Sequence, residues 1–469
     1  MTAKLLPQPL RPRDVRWVDG LRGIASMMVI GSHLVLCFAR HLIFPAPDAD
    51  TPPLFFQLPI IRLPEHGPPW VIIFIVLSSY AAALKPIKLS RARRAGEALS
   101  SLASSSFRRT GRLVLPSLTA TVLSWFLCQI GAYKIAKSSD AWWMAETSRV
   151  PSSSWSATIS DLISGIVQTW TDGENPYDQP QWTLPVLLKA SMLTYTLLLA
   201  TVHAQPAPRM LIALGFYIYS WRCSELIVGV NVAAGVLLAE LSQHPITHRV
   251  SSSRSLFVNM IPMLLFFSGL YLCSFPDHHP EWSPYFSPLL AFGMKHFPAG
   301  EYVFRYWNAI GAHLVVLGIV FSSHLMRALS HPVFLFLGGV SFPLYLLQGP
   351  TIRSVLAWVL FGFTSPVQLE ERLESGDVIQ KMVRPIPSTS FVSVVLVFYF
   401  GFLFWVSHFW SIYLEPRFAW ATQRTEAIVF GDRVDSPTAS HHVRSKSNEA
   451  NGINGINGVN GVNGFMLPK

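Results

Sequence analysis

Residues 17–38 read WVDGLRGIASMMVIGSHLVLCF, and the apolar run that opens at Ile24 decides the fold. Between Ile24 and Phe38 there is one basic side chain, His33, and no acid. Extended to Phe44, the stretch is long enough as a helix to cross a hydrocarbon core of about 30 Å. It is too long for the apolar region of a cleavable leader and has no clear small-residue cleavage site, so it reads as a retained first span.

The same pattern recurs along the chain. Ten candidate spans fall at about 24–44, 69–85, 113–133, 182–202, 209–221, 225–240, 256–275, 304–323, 333–361 and 391–413. The fifth and sixth are short, and Gly349-Pro350 interrupts the ninth, which reads as kinked, re-entrant or double. Of 469 residues, 51% are hydrophobic and 13% charged, with a mean hydropathy of +0.37. Soluble domains carry about a quarter charged residues, so a disordered chain is excluded and a soluble enzyme is disfavoured. The expected fold is all-α, a polytopic membrane protein of about ten transmembrane helices.

Charge orients the spans. Lys4, Arg11, Arg13 and Arg16 precede the first, and Lys85, Lys88, Arg91, Arg93, Arg94, Arg108, Arg109 and Arg112 follow the second. By the positive-inside rule both segments face the cytoplasm, and ten spans then return the C-terminus there as well. The formal charge of +10 is thus a topology signal rather than a nucleic-acid footprint. The reading divides the chain into a cytoplasmic segment 1–20, a transmembrane domain 21–415 and a cytoplasmic, largely disordered tail 416–469. That tail carries the repeat NGINGINGVNGVNG. Cys37, Cys128, Cys223 and Cys273 form no CxxC pair, and neither a disulfide framework nor a metal site is expected.

Ionisable groups inside spans are functional candidates, because burying them in lipid is costly. Arg22 precedes His33 by eleven positions, which on a helix is about 20° past three whole turns and about 16 Å of rise. Asp19 falls about 40° to the other side of that face. A neutral His33 can remove a hydroxyl proton while Arg22 grips an anion at the cytoplasmic mouth. The alternative is a histidine bonded across helices beside an ordinary inside anchor. Arg109 and Arg112, three apart where the third span begins, share a face suited either to phosphate or to anionic lipid. His313 reads as a helix-packing group.

RWVDGLRGIASMMVIGSH resembles the opening of the membrane-bound acyltransferase-3 family, marked by a basic residue, ten intervening residues and a histidine. Four further elements follow in the family's order: WVIIFIVLSSYAAALKP, FRRTGRLVLP, QWTLPVLLKASM and LGGVSFPLYLLQGP. Together they cover about residues 14–415. The resemblance implies acyl transfer, usually of acetyl, from acyl-CoA to a hydroxyl. His33 would be the base with Arg22 nearby, and Arg109 and Arg112 would meet the donor's phosphates. Asp19, Trp182 and Gln348 would be supporting residues. No permanently bound cofactor is expected; acetyl-CoA is a co-substrate. The partners are the bilayer and a hydroxylated small molecule, in fungal style a terpenoid or polyketide alcohol, in an internal membrane such as the endoplasmic reticulum. Two positions depart from the family pattern: Leu187 stands where glutamate is usual, and Gln348 where histidine is usual. A transporter and a catalytically degenerate relative are the competing readings.

Overall fold

The computed structural model describes residues 15–253, 255–372 and 378–431. Its helices are α1 (Arg16–Phe38), α2 (Pro68–Arg91), α3 (Ala95–Gln129), α4 (Lys134–Lys137), α5 (Trp142–Glu146) and α6 (Trp155–Thr171). There follow α7 (Thr183–Ala200), α8 (Pro206–Arg222), α9 (Gly229–Ser242), α10 (Pro245–Ser251), α11 (Leu256–Cys273) and α12 (Ser287–His296). The remainder are α13 (Val303–Phe321), α14 (Ser323–Leu329), α15 (Pro332–Thr351), α16 (Ala357–Phe361), α17 (Thr389–Tyr413) and α18 (Glu415–Phe430). One antiparallel hairpin, β1 (Val367–Arg372) and β2 (Val378–Val383), pairs Val367 with Val383. The chain is an all-α polytopic membrane protein.

Every expected span lies on a helix, with altered lengths. Among the described residues, eight helices are long and apolar enough to cross a membrane. The other two, α8 and α9, have 17 and 14 residues. The first span stops at Phe38, followed by a tight 3₁₀ turn at Arg40–Ile43. The third begins much earlier than expected: α3 runs for 35 residues, about 52 Å, so its polar first third extends beyond a hydrocarbon core. The ninth is one continuous helical path in which Pro350, lacking an N–H, is followed by a π-helical turn, Ile352–Leu356. The connection at 134–181 contains three further helices, α4 to α6.

Prolines start several helices, at Pro68, Pro206, Pro245 and Pro332, where a missing N–H costs nothing. Apolar faces turned outward, such as Leu256, Phe257, Met260, Ile261 and Leu264 on α11, suit lipid; the buried centre is built from α1, α2, α9, α13 and α15. Residues to Gln423 form one compact unit; a second begins at Arg424. Helix α18 continues past residue 415, where the tail was expected to begin, and the Asn-Gly repeat lies outside the described residues.

Helix directions place the site. A Cβ on Gly23 would sit 2.5 Å from the Gly338 nitrogen, and one on Gly338 would sit 2.2 Å from the Asp19 carbonyl. The glycines of DGLRG and LGG therefore let α1 and α15 touch through their backbones. Further along, His33 meets Gln348, so the two helices run parallel. Helix α2 runs the opposite way, from Gly67 beside Ser32 to Tyr80 against Trp17.

Candidate active site

His33 is the meeting point of α1, α5 and α15. Its Nδ1 lies 3.0 Å from Gln348 Oε1, and its ring stacks on Trp143 with centroids 4.6 Å apart. Gln348 Nε2 points at the Tyr345 carbonyl, 3.4 Å away, which assigns the amide orientation. Its Oε1 is then the acceptor, Nδ1 carries the imidazole hydrogen, and Nε2 keeps its lone pair. Among the described residues Nε2 has no hydrogen-bond partner. His33 lines a cavity of about 380 Å³.

A buried polar network backs this pair. Arg353 donates to Asp178 at 2.8 Å and to the Tyr177 carbonyl at 2.8 Å, and its guanidinium lies 5.9 Å from the Trp143 ring centre. Asp178 also accepts from Gln181, whose Oε1 accepts from Ser117 and Thr121 at 2.9 and 3.0 Å. Gly349 is required beside it, since a Cβ there would come within 2.0 Å of Asp178 Oδ1. The network fixes the α15 backbone carrying Gln348 and the ring on which His33 stacks. Tyr345 donates to the Pro180 carbonyl and pairs with Thr183 at 2.6 Å, closing a further side of the cavity.

The cavity walls are apolar at Val29, Leu36, Val71, Ile72, Leu226 and Ile227, and polar at Arg62, Glu65, His66, Asp277 and Asn308. Buried Arg62 pairs with Glu65 at 2.9 Å and donates to the carbonyls of Ile43 and Ser274. Burial pushes the Glu65 carboxyl up to about 7 despite that cation, and burial holds His66 down at about 4.

The expected phosphate-binding residues lie elsewhere, toward the other end of α1. Arg22, about 16 Å along the axis from His33, is 3.7 Å from Asp19. Arg109 donates to Ser78 of α2 at 2.7 Å and to Ser191 of α7 at 3.1 Å. Ser78 lies near Tyr80, which meets Trp17, so Arg109 is at the Arg22 end. Arg112 is exposed, and its charge acts on Glu415. The structure thus brings Trp182 to the cavity with His33, sets Gln348 behind His33, and gathers Asp19, Arg22, Arg109 and Arg112 at the opposite end.

The family profile described as an acyltransferase domain matches residues 15–369, a span that includes His33, both arginine elements and Gln348. The chain belongs to the membrane-bound acyltransferase-3 family. It is 30% identical over 383 residues to the O-acetyltransferase PaAT-1 of Phomopsis amygdali, covering 72% of each chain. It is 25% identical to the acyltransferase R4 of a Phoma species, covering 77% of this chain and 89% of that one. With the acyltransferase clz18 of Cochliobolus lunatus it shares 24%, over 71% and 81%. No solved structure gives a significant match. The chain is a multi-pass membrane acyltransferase.

Within this acyltransferase, the two departures differ in weight. Leu187 packs among apolar side chains and does not line the cavity; its carbonyl accepts from Ser191, the serine that holds Arg109. Gln348 occupies a decisive place, yet a glutamine accepts the Nδ1 hydrogen as a neutral histidine would. Sequence reasoning missed Trp143, Asp178, Arg353, His66 and Asn308. Trp143 sits in a short helix with no apolar period, while Asp178 and Arg353 are 175 positions apart. His313 bonds Asn231 and Tyr217 across helices.

Proposed function

We propose that this acyltransferase moves an acetyl group from acetyl-CoA to a hydroxyl of a lipophilic small molecule, with His33 as the base. The observation that carries this reading is the bare Nε2 of His33, whose Nδ1 faces Gln348, on the wall of a largely apolar cavity. Nε2 takes the hydroxyl proton as the oxygen attacks the thioester carbonyl. The carbon–sulfur bond of the tetrahedral intermediate then breaks, and the imidazolium returns its proton to the leaving thiolate, giving ester and free CoA. Ser32 adjoins His33 but projects about 100° away on the helix, and it bonds the Val29 carbonyl, which favours direct transfer over an acyl-serine.

Arg22, Arg109 and Arg112 suit the phosphates of the donor, which joins them to its thioester by a long flexible arm. Their distance from His33 is what such a donor needs, and the positive-inside rule supports a cytoplasmic position for them. The acceptor, by contrast, needs apolar walls, which a terpenoid or polyketide alcohol matches. An internal membrane such as the endoplasmic reticulum, with both termini cytoplasmic, fits this arrangement.

The test compares metabolites of the native host carrying the intact chain or His33→Ala at matched expression. The variant should lose an acetylated product by about 10²–10⁴-fold in rate and accumulate its hydroxyl precursor. Unchanged acetylation would overturn the role of His33. A metabolite shifting between cells and medium without acetylation would point to transport instead.

A further inference from the structure

The polar wall of the cavity contains a ligand-shaped gap in hydrogen bonding. His66 is buried, and its ring bonds the Phe275 backbone and meets Asn308 Nδ2 at 3.3 Å through Nε2. A neutral His66 donates to the carbonyl through Nδ1 and accepts from the Asn308 amide through Nε2. That bond turns the carboxamide so that Asn308 Oδ1 faces away from His66. The side chain is wholly buried and lines the cavity, yet Oδ1 has no hydrogen-bond partner among the described residues. Asp277 Oδ1, on the same wall, is likewise buried and unpartnered. Native proteins rarely leave buried acceptors bare, and two in the lining of one cavity call for donors from what the cavity binds.

We propose that a second hydroxyl of the acyl acceptor donates its one hydrogen to Asn308, with the Asp277 carboxylate on the same wall as the alternative partner, so that this substrate is an amphipathic diol or polyol rather than a simple alcohol. This rests on the reading of His33 as the base toward the reacting hydroxyl. A neutral donor fits better than an ammonium group, because buried Arg62 already acts on Asp277, and Arg305, paired to Glu301 at 2.7 Å, lines the same cavity. The two hydroxyl positions belong to one ligand. Gly67, next to His66, packs so closely on Ser32, next to His33, that a Cβ would sit 2.9 Å from Ser32 Oγ. The polar wall and the base therefore adjoin at one backbone contact, with Val29, Val71 and Ile72 forming the apolar surface beside them.

The test uses the purified full chain in lipid nanodiscs with radiolabelled acetyl-CoA. The probes are a homologous series of α,ω-alkanediols, each set against the 1-alkanol of equal chain length. The intact chain should prefer the diol at its best length by roughly tenfold in kcat/KM, beyond the statistical factor of about two. In Asn308→Leu that ratio should fall to the statistical value, chiefly through KM. Asp277→Leu, in a connecting loop, should lower it in the same direction. The ratio is taken within one preparation, so partial misfolding of a variant does not move it. Equal kcat/KM for diol and alkanol at every length would overturn the proposal while leaving acetyl transfer to hydroxyls intact. A preference that survives both substitutions would also overturn it and assign the gap to water. Transfer to neither series would overturn the reading of the donor and acceptor, and this inference with it.

Discussion

Gln348 holds the Nδ1 side of His33 and so leaves Nε2 as the nitrogen open to a substrate, the base of the proposed reaction. Without an acceptor there, the ring can take its other tautomer or rotate off Trp143, and the lone pair no longer faces the cavity. Gln348→Leu is therefore expected to lower kcat by about 10–100-fold, the usual effect of losing the partner that orients a functional histidine, with KM for acetyl-CoA changed by less than about twofold. Gln348→His, which keeps an acceptor nitrogen, should recover part of that loss. Steady-state acetylation by the purified chain checks both; equal loss in the two variants would reduce Gln348 to packing. His33 and Gln348 were legible in the sequence because each lies in a local motif. Trp143, His66 and Asn308 were not, because what makes them part of the site is a contact between distant segments, and neither period nor spacing encodes such a contact. Gln348 departs from the family pattern but keeps the capacity to hydrogen-bond, and in the structure that capacity faces His33 Nδ1.

Helices α1 and α15 are held in register by the absence of side chains between them. The DGLRG motif carries the proposed phosphate-binding Arg22 and close contact at Gly20 and Gly23, where a Cβ would lie 1.9 Å from the Leu329 carbonyl of α14 or 2.5 Å from the Gly338 nitrogen of α15. Forcing a methyl group into this seam must separate the helices, and separation carries His33 away from Gln348. Gly338→Ala should cost about 1–3 kcal/mol, the range for overpacking a close contact, and reduce acetylation as well. Gly339→Ala is the control, since a Cβ there meets nothing within 4 Å and alanine favours a helix over glycine. Thermal unfolding in detergent should separate the two neighbours by several degrees; equal melting would remove the seam as the determinant. At this scale hydropathy put every expected span on a helix, eight of them among the described residues long and apolar enough to cross a membrane, because lipid demands apolar length. It missed α4 and α5, which are only four and five residues long, and α6, whose apolar positions are interrupted by Ser, Thr and Asp161, and it missed the extension of α3, which lies in a run too polar to register as membrane.

The molecule as a whole is polarised along the bundle. One end carries Asp19, Arg22, Arg109 and Arg112, and the other carries the cavity, walled by the 39–67 and 274–302 connections. The short pair α8 and α9 obeys the same polarity. Arg209 near the start of α8 and Arg91 at the end of α2 both grip Glu240 near the end of α9, while Leu226 and Ile227 between the two helices line the cavity. The pair thus travels from the arginine end to the cavity and back, the depth that α2 covers alone. Because α8 and α9 are added or removed together, the number of passes stays even, and α1 begins on the side where α17 ends under either count. On the proposed reading the charge bias turns the arginine end toward the cytoplasm, where an acyl-CoA donor would reach it. An N-glycosylation acceptor inserted in the 276–302 connection should be modified in microsomes, giving a mass shift that endoglycosidase reverses. The same acceptor inserted at the break between α2 and α3, around Arg93, should stay unmodified. The reverse pattern would turn the arginine end away from the cytoplasm. A cytoplasmic donor would then have to enter through the apolar cavity, and Arg22, Arg109 and Arg112 would lose the phosphate role proposed for them.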